Sequence, residues 1–341
     1  MKIWLKYLIG IVLGVLSALI LPFGSLQGVS TLSFVTEFVI RIGRYTLIPL
    51  LLFSGIMAVY RLNDAKLIGK TSLWTFSVII ISSVLLTIIG FISIVVIKLP
   101  RIPIITEKVS QVTSIDFPNL IRSMIPFSSF ESLSEGAFLL PCFIFALIIG
   151  AGCCMEHSNL KPILSLTDSF SELFFNISSI VIDFMSIGMI AIMCNWTIQF
   201  KSIIKSGVFT PLILMLTANF ILIVGIIYPL LVKKLCRGGK PIKVLSSCVV
   251  PFFISFFSGD TNLTLSANMR LGKEKLGIRQ RTNGFVYPLF SIFARGGSAL
   301  TVIISFVVIW RSYSPLNIDF IDMLWISGTA LLLSFLLGGM P

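Results

Sequence analysis

Long apolar runs separated by short polar segments dominate this chain. A membrane-crossing helix needs about 20 mainly apolar residues, and most of the runs approach or exceed that length. The pattern therefore predicts helices, with bounds near Leu8–Leu21, Phe34–Tyr60, Leu73–Ile97, Phe138–Cys154, Phe170–Ile198, Val208–Val232, Val244–Phe257, Phe285–Trp310 and Ile321–Leu337. We expect about seven of them to cross a membrane.

The composition excludes a soluble domain. Hydrophobic residues make up 56% of the 341 positions and charged residues only 12%, against about 25% charged residues in soluble domains. The prediction is an all-α integral membrane protein. A net charge of +12 does not indicate a nucleic-acid partner, because the basic residues form short clusters between apolar runs, as cytoplasmic loops do. No hydrolase or nucleotide-binding motif is present, so neither an enzyme nor a bound cofactor is expected.

The apolar run from Val244 is too short for a span before it meets Ser258-Gly259-Asp260-Thr261-Asn262. A short run that stops in polar residues is typical of a re-entrant hairpin. Charge supports this prediction. With the N-terminus in the cytoplasm, most of the 26 Lys and Arg residues fall on that side, provided that 244–267 enters and leaves there. We therefore expect a multi-pass protein of the inner cell membrane with a cytoplasmic N-terminus.

Polar residues at membrane depth are the candidate functional residues. The tip around Asp260 and Thr261 precedes a second half-helix, whose N-terminus can hold an anionic group; Asp260 or Thr261 can instead simply cap that helix. We favour a binding role. Glu37, Arg41 and Arg44 share a helix face, as an interfacial ion pair or as charges that face protein. Phe293 to Ser298 interrupts a span, through unwinding at a site or through small-residue packing.

Several stretches resemble one known family. Ile48 to Gly55 resembles its Pro-containing second helix, Leu139 to Gly150 its fourth, and Ser186 to Met189 its fifth. Thr264 to Ile278 is similar to the end of its first hairpin, T-L-P-x-T-M-R-x-A-K-E-x-G-I, and Pro288-Leu289 and Gly297 to Leu300 follow at the spacing of its seventh helix. The family is the dicarboxylate/amino acid:cation symporters, that is, the glutamate transporters, and the resemblance covers essentially the whole chain.

The resemblance implies secondary active transport of small anionic dicarboxylates or acidic amino acids by alternating access. It implies a scaffold, mainly 1–60 and 138–198, and a moving transport domain, 71–98 and 208–341, with 99–137 as an outer loop. It also implies a homotrimer surrounded by membrane lipid. The implied substrate-binding residues are Ser258, Asp260, Thr261, Asn262, Thr264 and Ser298.

The resemblance also implies a cation-binding region at Phe290, Ala294 and Gly296, for a coupling ion that is Na⁺ or H⁺. The family motif N-M-D-G-T reads Ala294-Arg295-Gly296-Gly297-Ser298 here, so its asparagine and acid are replaced. Leu337 to Pro341 falls where the family begins the tip of its second hairpin, and from this we expect a C-terminally truncated chain with an incomplete second hairpin. The alternative function is a non-transporting relic or an interaction protein.

Overall fold

A computed structural model describes residues 2–20, 26–97, 100, 122, 125–134, 139–155, 159–235, 240–313 and 319–336. Regular structure within these ranges is entirely helical. The helices are α1 (Ile3–Ile20), α2 (Leu26–Tyr45), α3 (Leu47–Asp64), α4 (Ile68–Val96), α5 (Glu131–Ser134), α6 (Leu139–Met155), α7 (Lys161–Ser206), α8 (Thr210–Leu222), α9 (Tyr228–Leu235), α10 (Pro241–Ser258), α11 (Thr264–Glu274), α12 (Gln280–Phe293), α13 (Gly296–Tyr313) and α14 (Phe320–Leu336). A π-helical turn, Ile223–Ile227, joins α8 to α9.

Seven helical segments of the described chain are long and apolar enough to cross a membrane. This confirms the predicted all-α integral membrane class. The seven differ slightly from those expected, because α10 is included, whereas α6 and α14 are apolar but shorter. The predicted second-hairpin turn at 337–341 and most of the outer loop 99–137 lie outside the described residues.

The predicted helix Phe34–Tyr60 is longer and is divided in two. Helices α2 and α3 meet at Thr46 and together form an apolar segment of 37 residues, Gly28–Asp64. Arg44 therefore lies near the middle of this segment. This position allows its side chain to reach residues at membrane depth.

Helices α10 and α11 form the expected hairpin. Gly259 ends α10 in the left-handed conformation, with φ of 68°, which glycine adopts without steric penalty. At the open end, the Lys275 ammonium donates a hydrogen bond of 3.3 Å to the Ser246 carbonyl oxygen. The end of α11 thus returns to the beginning of α10, and the turn 259–263 lies at the far end of the hairpin.

The hairpin tip is packed against the first half of the chain. Leu263 belongs to a buried cluster shared by α1, α7 and the hairpin, together with Ile182 and Met185. A Cβ atom added to Gly43 would lie 2.6 Å from Leu263 Cδ1, so α2 approaches the tip as closely as a glycine allows. This contact places Arg44, the next residue, beside the tip.

Candidate functional site

The hairpin tip is held by hydrogen bonds within its own turn. The Asn262 N–H donates to Asp260 Oδ1 at 2.9 Å, and the Asp260 N–H donates to Ser258 Oγ at 3.2 Å. The Thr264 hydroxyl donates to the Thr261 carbonyl oxygen at 2.6 Å. Asp260 therefore forms a local turn ahead of α11. It does not cap that helix, because the N-cap residue is Leu263 and no side-chain hydrogen bond is made at the cap.

Asp260 also forms an ion pair across the fold. Its Oδ2 accepts a hydrogen bond from Arg44 Nε, although the two residues are 216 positions apart. The Asp260 side chain is 9% exposed and that of Arg44 is 35% exposed. A carboxylate this buried needs a partner, and Arg44 of α2 supplies it. By contrast, the neighbouring pair of Glu37 and Arg41 is exposed, as expected of an interfacial ion pair.

The span after the hairpin is broken next to the tip, as predicted. Helix α12 ends at Phe293, and Ala294 leaves the helical region with φ of −82° and ψ of 66°. The Arg295 N–H donates to the Phe293 carbonyl oxygen at 2.9 Å, and the Arg295 carbonyl accepts from the Ser298 N–H at 2.9 Å. Arg295 is thus the last residue before α13, whose first turn is formed by Gly296, Gly297 and Ser298.

Arg295 connects this break to the tip. Its Nη2 lies 3.5 Å from Asn262 Oδ1. The tip is therefore flanked by two guanidinium groups, from Arg44 and Arg295, with Asp260 as the one carboxylate among these contacts. Gly297 and Ser298 are exposed. The Ser298 N–H already donates to the Arg295 carbonyl oxygen, so the N–H groups that this helix N-terminus offers to a ligand are those of Gly296 and Gly297. The arrangement is suited to an anionic group.

The two glycines at the start of α13 have different surroundings. A Cβ added to Gly296 would lie 2.8 Å from Ser83 Cα on α4, whereas a Cβ added to Gly297 meets nothing within 4 Å. Further along, a Cβ on Gly90 of α4 would lie 3.2 Å from Leu300 Cα. The helix is therefore broken at this segment, and its small residues allow α4 and α13 to pack closely. That the break serves a binding site stays a prediction.

The region that the resemblance assigned to a cation offers few side-chain ligands among the described residues, so a cation site there stays a prediction. Phe290 and Ala294 pack against the apolar cluster around α3, and Gly296 has no side chain. Hard cations need several oxygen ligands. Among the described residues no group of three His, Cys, Asp or Glu side chains could hold a metal. The buried Ser83 hydroxyl oxygen, which has no hydrogen-bond partner in the described structure, would lie 3.3 Å from a Cβ added to Gly296.

The structure brings together only part of the predicted substrate site. Asp260 and Asn262 meet the two arginines, while Ser258 and Thr264 direct their hydroxyls to carbonyl oxygens of the hairpin, at 2.5 and 2.6 Å. Thr261 and Ser298 are exposed, and the described contacts of their side chains assign them no role in a site. Sequence reasoning missed the link from Arg44 to Asp260. Its only signal was an arginine within an apolar run, which does not identify a partner so distant in sequence.

Comparison with known proteins agrees with this architecture. Residues 3–341 match the model of a family described as the sodium:dicarboxylate symporter family. A search of curated proteins found no match.

Proposed function

Because the chain belongs to the sodium:dicarboxylate symporter family, a family of transporters and not of enzymes, we propose that it carries a small anionic dicarboxylate or acidic amino acid by alternating access. In this proposal the part formed mainly by 1–60 and 138–198 is the scaffold. The part formed by 71–98 and 208–341 moves, as in transporters that bind substrate at broken helices near the midplane of the membrane. The assembly is a homotrimer in the inner membrane, with the N-terminus in the cytoplasm.

The observation that supports an anionic substrate is the contact between Arg295 and Asn262, with 3.5 Å between the guanidinium Nη2 and the amide Oδ1. It places a permanent positive charge between the tip and the first turn of α13. A carboxylate there would accept hydrogen bonds from the guanidinium and from the N–H groups of Gly296 and Gly297. A second carboxylate on the same substrate would extend toward Thr261 and Asn262.

Uptake into liposomes tests this proposal. The purified protein is reconstituted and supplied with labelled succinate, malate, aspartate or glutamate, with the same unlabelled compound inside so that exchange reports substrate movement without any assumption about the coupling ion. Exchange of at least one of these anions, and none for a neutral amino acid such as leucine, is the expected result. No exchange of any of them would favour the alternative, a non-transporting membrane protein.

The role of the tip is tested by one pair of variants. Asn262→Ala removes the amide oxygen that faces Arg295 and should reduce exchange. Ser312→Ala removes a hydroxyl that donates to its own helix, to the Val308 carbonyl oxygen at 2.8 Å, and should leave exchange near the parent value. Equal effects of the two substitutions would reduce the tip to a structural turn.

A further inference from the structure

A polar cavity lies away from the hairpin tip, at the end of the molecule where α1 begins. Its volume is about 950 Å³, and it is enclosed by the first two turns of α1, the middle of α7 and the open end of the hairpin. Four basic residues line it: Lys2, Lys6, Arg270 and Lys275. Two acidic residues, Asp183 and Glu274, share the same walls.

The acidic residues do not neutralise the basic ones. Arg270 pairs with Glu274 at 3.0 Å and with Asp183 at 3.4 Å, and Lys6 approaches Asp183 at 3.8 Å. Lys2 and Lys275 form no salt bridge with any residue that the structure describes. The cavity therefore has a surplus of positive charge, located at Lys2 and Lys275. The Lys275 ammonium uses one of its three N–H groups on the Ser246 carbonyl oxygen and keeps two for a ligand.

One wall of the cavity is apolar and opens outward. Trp4 and Leu8 of α1 are both exposed, at 36% and 39%, and Phe253 of α10 also lines the cavity. Tryptophan is enriched where a membrane meets water. A soluble anion would use only the basic part of this cavity, whereas a phospholipid has a phosphate for the lysines and an acyl chain for the apolar wall.

We propose that this cavity binds an anionic phospholipid, whose headgroup phosphate contacts Lys2, Lys6 and Lys275 while an acyl chain lies along Trp4 and Leu8. Arg270 is already held by Asp183, Glu274 and the Ser179 carbonyl oxygen, the last at 2.8 Å. Its role is therefore to join α7 to α11 in the wall of the cavity. The lipid would link α1 to the hairpin, since the walls belong to both. This inference does not depend on transport.

Lipid titration of the purified, delipidated full chain tests the site. Native mass spectrometry counts bound phosphatidylglycerol, and thermal unfolding gives its apparent affinity, because a ligand that binds only the folded state raises the unfolding temperature. Phosphatidylglycerol should bind and stabilise, phosphatidylcholine much less. Lys2→Gln with Lys275→Gln should weaken the affinity for phosphatidylglycerol roughly thirty-fold, since each lysine near an anionic lipid surface contributes about a factor of five.

A matched pair of lysines serves as the control. Lys240 and Lys243 are exposed at the same end of the hairpin but do not line the cavity, so Lys240→Gln with Lys243→Gln should leave the affinity near the parent value. Equal losses in the two double variants would overturn the proposal in favour of general surface attraction. Stabilisation by inorganic phosphate as strong as that by phosphatidylglycerol would overturn it in favour of a soluble-anion site.

Two further variants separate these outcomes. Trp4→Ala should weaken phosphatidylglycerol binding without changing the response to inorganic phosphate, and an unchanged lipid affinity would contradict the acyl-chain contact. If the double variant does not fold, Lys2→Gln alone gives the same comparison, because Lys2 is exposed and has no salt bridge within the described chain. It should weaken binding roughly five-fold, and no change would overturn the contact.

Discussion

Arg44 and Arg41 lie one turn apart on α2, yet their ion pairs are in different surroundings. The carboxylate that faces Arg44 is 9% exposed, whereas that of Glu37, which faces Arg41, is 61% exposed. Water compensates the loss of a partner only in the exposed pair. We therefore expect Arg44 to stabilise the hairpin tip and Arg41 to contribute little to stability.

Arg44→Met should lower the free energy of unfolding by on the order of 2 kcal/mol, because it leaves the Asp260 carboxylate buried without this partner; the partial exposure of Arg44 keeps the loss below that of a fully buried pair. Arg41→Met is the matched control and should change stability by well under about 1 kcal/mol. Thermal unfolding in detergent measures both. Adding Asp260→Asn to Arg44→Met should recover part of the loss, and failure to do so would contradict a direct charge interaction.

Arg295 decides the expected response to sodium. A sodium ion about 4 Å from its guanidinium would be repelled by ~4 kcal/mol at an effective dielectric constant of ~20, which corresponds to roughly a thousandfold in affinity. We therefore expect an inward sodium gradient to produce no accumulation of substrate in liposomes that contain this protein.

Arg295→Met tests whether the same charge is needed to bind the anionic substrate. It should reduce exchange of the anionic substrate, whereas Arg311→Met, which removes a charge from the far end of α13, should not. Sodium-dependent accumulation by the unmodified chain would contradict the prediction, as would equal exchange by the two variants.

At the scale of elements, the approach of α13 to α4 depends on one glycine. Gly296→Ala places a Cβ 2.8 Å from Ser83 Cα, a backbone atom that cannot rotate away. The substitution should destabilise the protein by about 1–3 kcal/mol, as overpacking does. Gly297→Ala meets nothing within 4 Å and should be neutral or slightly stabilising. Comparison of the two unfolding temperatures measures the difference, and equal values would contradict the close packing.

The same contact argues against restoring the family's acid at this position. Gly296→Asp would need the same displacement of α13 from α4 before its carboxylate could bind anything. A carboxylate at this position would therefore disturb the packing of α13 on α4. We expect Gly296→Asp with Arg295→Met to lower the unfolding temperature at least as much as Gly296→Ala.

At the scale of the whole molecule, the hairpin determines which segments share a side of the membrane. Lys243 near the start of α10 and Lys275 after α11 lie at the open end of the hairpin. Arg311 lies at the far end of a helical segment, Gln280–Ser312, that is long enough to cross. In a background without the six cysteines, Lys243→Cys and Lys275→Cys should react with an impermeant thiol reagent from one side, and Arg311→Cys from the other. Labelling of the first two from opposite sides would contradict the hairpin.

Much of the fold could be predicted from the sequence, because the signals are local. Runs such as Leu73–Ile97 have no alternative to a helix in lipid, where the backbone must satisfy its own hydrogen bonds. The hairpin was predicted from a short apolar run that stops at Ser258. The break in the following long span was predicted from Arg295 and the two glycines after it. The bounds were less accurate: α2 begins at Leu26 and α7 extends over 46 residues, because polar residues can continue a helix beyond its apolar part.

By itself, therefore, the sequence determined the class of protein, the order of its helices, the hairpin and the identity of the residues at its tip. Only the tertiary structure decided which charges meet: Arg44 with Asp260, and Arg295 with Asn262. It also showed that Gly296 is enclosed by α4 while Gly297 is open. Such contacts depend on how helices distant in sequence pack, and the period of a single helix carries no information about the partner that its polar face will meet.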